Sequence, residues 1–158
     1  MMDFNKMHKQ RLAILIVAAI GVISAFLPWA TIDLGLLGGR SSVSGINGDG
    51  LITLLAFLAA GVVTFLGDQK ETVNSDDKFK WGTVGAGALA TLIAFIAMIN
   101  VSSVPLSSVG FGVFLSILAG GIIAAIPFLD PKIFDKLPIG ADTSTHNESV
   151  ESDDNSAE

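Results

Sequence analysis

The sequence predicts an all-α membrane protein: a four-helix transmembrane bundle with a small extracellular β-hairpin between helices 1 and 2. Three observations predict it. Hydrophobic residues make up 51% of the 158 and charged residues only 15%, where a soluble domain carries about 25%. The shortfall is concentrated, since residues 12–30, 51–67, 81–99 and 109–129 contain no Asp, Glu, Lys or Arg. Each run falls within the roughly 17–25 residues that a helix needs to cross the hydrocarbon core. Finally, Lys and Arg fall on one side with a single exception. Lys6, Lys9 and Arg11 precede span 1, Lys70, Lys78 and Lys80 lie between spans 2 and 3, and Lys132 and Lys136 follow span 4. Only Arg40 lies on the other side. By the positive-inside rule both termini are cytoplasmic and the protein is a multi-pass protein of the cell membrane.

The elements follow in order. Residues 1–11 are a basic cytoplasmic N-terminus. A transmembrane domain spans 12–138, and an acidic cytoplasmic tail with the composition of disorder covers 139–158. Span 1 is too long for the apolar core of a signal peptide, about 7–15 residues, and ends in bulky Phe26-Leu27-Pro28-Trp29, so it is read as uncleaved. Trp29 and Trp81 sit at span ends, where indole favours the interface. In the first exterior loop Ile32, Leu34 and Leu36 alternate with Asp33 and Gly35, a strand-like period of two. Gly38-Gly39 supplies a turn and 41–46 the returning strand. Asn100 to Ser108 reads as a short Ser-rich turn, and Lys132 to Pro138 as an amphipathic turn on the inner surface.

Helices in lipid associate through small residues that let backbones approach. Gly82, Ala86, Ala90 and Ala94 form such a stripe on span 3, and Gly112, Ser116, Gly120 and Ala124 form one on span 4. These two spans are the expected tight pair. Before span 2, Gly45, Gly48 and Gly50 are turn formers and Asp49 is the expected N-cap, its carboxylate accepting from free N–H groups of the first turn. A sharper alternative is a cation site made of Asp33, Asn47 and Asp49, although the full calcium-loop signature is missing.

Leu27-Pro28-Trp29 closing span 1, with Ser44-Gly45-Ile46-Asn47-Gly48-Asp49-Gly50 before span 2, resembles a family of small, uncharacterised four-span membrane proteins of prokaryotes. The resemblance covers residues 12–67, extends to the second hairpin by topology only, and implies no activity. The topology is similar to that of claudins in shape alone. Claudins carry a Trp and a Cys pair in this loop, and this chain has no cysteine.

Function is less legible. No ionisable group lies in any span, which argues against proton relays and coupled transport. With no cysteine and only His8 and His146, neither a metal nor another cofactor is expected, and no catalytic constellation is present. The acidity sits in the tail, which argues against nucleic acid. The leading expectation is a non-enzymatic structural or interaction protein whose partners are the lipid bilayer and a second copy or another membrane protein. Two other readings stand beside it: a subunit of an oligomeric pore or transporter, and a viral or vesicle membrane protein.

Overall fold

The computed structural model describes residues 7–35, 38–66 and 70–136. The expected acidic tail and Leu36 lie outside them. The chain is mostly helical, with one small sheet. In order come α1 (Lys9–Phe26), β1 (Pro28–Asp33), β2 (Arg40–Ser44), α2 (Gly50–Leu66), α3 (Asp77–Ser102), β3 (Ser107–Val109), α4 (Phe111–Ala125) and α5 (Pro131–Asp135). The four long helices pack so that α1 and α3 each lie between α2 and α4. Three stretches are long and apolar enough to cross a membrane: Lys9–Phe26, Asp77–Ser102, and Phe111–Phe128, which includes a short 3₁₀ turn after α4. Gly50–Leu66 is apolar but shorter.

Helix ends follow local chemistry. His8 Nδ1 accepts from Gln10 N at 3.2 Å and caps α1, so the helix starts inside the expected N-terminal lead. It stops at Phe26 because the residue before a proline is pushed out of the helical region; Leu27 is extended, with ψ 160°. Pro28 to Ala30 therefore belong to a strand, although the charge-free run continues through them. Asp76 caps α3, its carboxylate accepting from Lys78 N at 3.0 Å. Asp130 caps α5 in the same way.

The expected hairpin is instead a three-stranded antiparallel sheet in the order β2-β1-β3. Ala30, Thr31 and Ile32 pair with Val109, Ser108 and Ser107. β3, in the connection between α3 and α4, was hidden because Ser-Ser-Val is too short to show an alternating pattern. Leu106, the one non-glycine with positive φ among the described residues (65°), turns the chain so that its carbonyl accepts from Asp33 N at 3.0 Å.

The interior holds small residues beside a few large ones such as Ile14, Phe57 and Ile123, and among the described residues no leucine is buried. Ala18, Ala25, Ala60, Ala90 and Ala94 are buried, whereas Ile23, Leu55, Leu66, Leu92 and Leu118 point outward and are mostly exposed.

Candidate functional site

The densest construction is at the sheet end, around Trp29. Its indole is buried, and Nε1 donates to Ser24 O at 2.9 Å in the last turn of α1. Three glycines make room for the strand that carries it. A Cβ on Gly45 would lie 2.5 Å from the indole, and one on Gly112 would lie 2.7 Å from it. A Cβ on Gly110 would collide with Pro28 O, because Gly110 N donates to Trp29 O at 2.8 Å. Gly50 meets the backbone of Gly45 just as closely, at 2.6 Å. One turn deeper, the Ser24 and Ser116 hydroxyls bond each other at 2.6 Å and tie α1 to α4. The sheet is thus fixed to the helices by main-chain contact that no Cβ would permit.

Of the expected loop residues, Trp29, Gly45 and Gly50 come together here. Gly48 lies in open space, although its N–H closes the short turn onto Gly45 O at 3.0 Å. Asp49 occupies the cap position by its carbonyl, which accepts from Ile52 N at 3.2 Å. Among the described residues its carboxylate makes no hydrogen bond. Asp33 pairs instead with Arg40 at 3.6 Å, and Asn47 Nδ2 donates to Ser44 Oγ at 3.1 Å. Among the described residues no group of three His, Cys, Asp or Glu is placed to hold a metal.

Between α3 and α4 the closest approach is at Gly87 and Gly120. A Cβ on Gly87 would lie 2.7 Å from Ala124 N and 2.8 Å from Gly120 O, and one on Gly120 would lie 2.9 Å from Gly87 O. Of the expected stripes, Ala90, Ala94, Gly112, Ser116 and Gly120 are buried, whereas Ala86 and Ala124 are half-buried. Gly82 faces Val63 of α2, 3.1 Å from its would-be Cβ. Sequence reasoning missed Gly87. A strict four-residue spacing drifts about 40° around a helix at each step, so a long contact face must mix steps of three and four. Thr83, Gly87, Ala90, Ala94 and Ala97, all buried, have that mixture.

The opposite end is held by side chains. Arg11, read as part of the basic N-terminal lead, is only 2% exposed. Its Nη1 donates to Thr64 O at 2.6 Å in the last turn of α2, and its Nε donates to Glu71 O at 2.7 Å. The guanidinium lies 6.0 Å from the centre of the Phe79 ring. Gln10, also buried, accepts from Val73 N at 3.1 Å and donates to Ile126 O at 3.3 Å. Together they tie α1 to the end of α2, to the connection before α3 and to the end of α4. Asn74 Oδ1 and Thr83 Oγ1 are buried here without a hydrogen-bond partner among the described residues.

No family model, curated protein or solved structure matches the chain.

Proposed function

We propose that the chain is an integral membrane protein of structural or interaction type. In this reading it crosses the bilayer four times with both termini in the cytoplasm, and it holds its sheet outside as a rigid recognition surface. The observation that carries the membrane part is that small residues fill much of the interior while, among the described residues, no leucine is buried. In water, large apolar residues are driven inside; in lipid, small ones let the helices close while large ones face the acyl chains. A groove of about 580 Å³ between α1 and α2 is lined only by apolar residues, among them Leu15, Val22, Leu58 and Phe65, as suits a hydrocarbon surrounding. α2 spans with 17 residues, at the short end of the workable range. At the cytoplasmic end Trp81 and Phe128 are exposed, and Lys80 Nζ sits 5.5 Å from the Phe128 ring centre, an arrangement suited to the headgroup layer.

The interaction part rests on the sheet end. The glycine contacts around Trp29 hold β1, which leaves β2 as an exposed edge strand whose outer backbone groups can pair with another chain. The buried hydroxyls support this reading over a pore. Thr64 Oγ1 bonds Ala60 O at 2.7 Å, and Ser24 Oγ bonds Gly21 O and Ser116, so these hydroxyls are used between and along helices. A photocrosslinking residue placed in turn at Ser41, Ser42 and Val43 in native membranes tests the proposal. Adducts to a second copy or another membrane protein are expected; a bare monomer at all three positions would overturn it.

A further inference from the structure

Beneath β2 lies a cleft of about 170 Å³ that the contacts described above do not use. Trp29, Val43, Ala97 and Val101 form its apolar wall, and Asp49 and Asn100 stand at its polar side. An engineered apolar cavity of about 150 Å³ holds a benzene molecule, so the cleft admits a compact organic group. Its polar groups are available. Among the described residues neither the Asp49 carboxylate nor the Asn100 side-chain amide makes a hydrogen bond. Ser44, also in the lining, has its hydroxyl engaged by Asn47. Ligand sites combine a mostly apolar wall with a few polar groups; this cleft has that composition on a scale suited to a group of only a few heavy atoms.

The charge at the cleft selects the class of ligand. Its one charged side chain is a carboxylate, and the amide beside it adds an acceptor oxygen. A single carboxylate in the lining disfavours an anion and offers a cation a counter-charge that a neutral molecule would not use. From this geometry we infer that the cleft binds a small organic ammonium, its nitrogen at Asp49 and Asn100 and its carbon body against Trp29, Val43 and Val101. Asp49 and Asn100 are both exposed, so the pairing is screened by salt and the affinity is modest. The ammonium can come from a free solute or from a lipid headgroup, since both present the same chemistry. This inference rests on the fold of the sheet end, and its test reads binding whether or not β2 also meets a protein partner.

The chain has two tryptophans, so Trp81→Phe leaves Trp29, in the cleft wall, as the only indole. That variant, in a detergent without an ammonium headgroup, is titrated with tetramethylammonium, tert-butanol, propionate and calcium chloride while Trp29 emission is followed. A saturable response to tetramethylammonium alone is expected, weakened about fivefold by Asp49→Asn and about twofold by Asn100→Ala. Val43→Phe, which fills the cleft, abolishes it; this second route to loss keeps the test decisive if Asp49→Asn unfolds. In nanodiscs, weaker binding in phosphatidylcholine than in an uncharged glycolipid without an ammonium group identifies the headgroup as the source, and equal binding identifies a free solute. Equal responses to tert-butanol and tetramethylammonium, saturation by calcium instead, or binding unchanged by both Asp49→Asn and Val43→Phe would overturn the inference.

Discussion

At the sheet end, Trp29 is held by backbone, with Gly45, Gly110 and Gly112 pressed against its strand or ring. At the other end, Arg11 and Gln10 reach across with long side chains to carbonyls and an N–H of three other segments. Both arrangements fasten α1 to its neighbours, but they fail differently. Main-chain contact has no slack, so one added methyl forces a strand to move. A side-chain clamp loses hydrogen bonds one at a time, and water can replace those near the surface.

The difference can be broken most sharply at Gly110. Gly110→Ala places a methyl against Pro28 O, and overpacking of this kind costs about 3 kcal/mol. Gly121→Ala, within the helix that Gly110 precedes and with open space around it, is expected to change stability by no more than about 1 kcal/mol and in the favourable direction, through helix propensity. Thermal unfolding of both variants in one detergent checks the contrast.

The clamp comes next in size. Arg11→Met keeps most of the bulk and removes the donors to Thr64 O and Glu71 O. Thr64 is buried and Glu71 exposed, so only the first carbonyl is left without water. A loss of about 2 kcal/mol is expected, with Arg11→Lys between the parent and Arg11→Met, measured by the same unfolding series.

The smallest effect has the opposite sign. Thr83 Oγ1 is buried without a partner among the described residues. Thr83→Val keeps the shape and removes that polar atom, so stability is expected to hold or rise by about 1 kcal/mol. A clear loss would show that the hydroxyl has a partner, and the clamp end would then be more completely satisfied than described.

Several features were legible in the sequence because they depend on local pattern. The four apolar helices show as charge-free runs, although the first run continues to residue 30 where α1 ends at Phe26, before Pro28. The rest depends on tertiary contact. β3 is a strand only because β1 lies beside it. Gly87 stood outside a strict four-residue stripe, although the Thr83-to-Ala97 spacing was available to reveal it. Arg11 looked like a topology signal, and nothing local shows that the free carbonyls of the α2 end lie within reach of its side chain. Asp49 matched a cap pattern, but it caps α2 by its carbonyl, and among the described residues its carboxylate makes no hydrogen bond.

The central claim is that β1 and β3 join the two helical hairpins in one sheet at the exterior end. Ile32 and Ser107 are partners flanked by the bonded pair Asp33 and Leu106. They occupy a non-hydrogen-bonded position, where Cα atoms lie about 4.5 Å apart, within disulfide range. The chain has no cysteine of its own, so the double variant Ile32→Cys/Ser107→Cys gives an unambiguous readout. The account predicts a disulfide in intact cells that a membrane-impermeant reductant opens from outside. Two free thiols that stay unpaired under oxidising conditions, or a disulfide reached only from the cytoplasm, would contradict it.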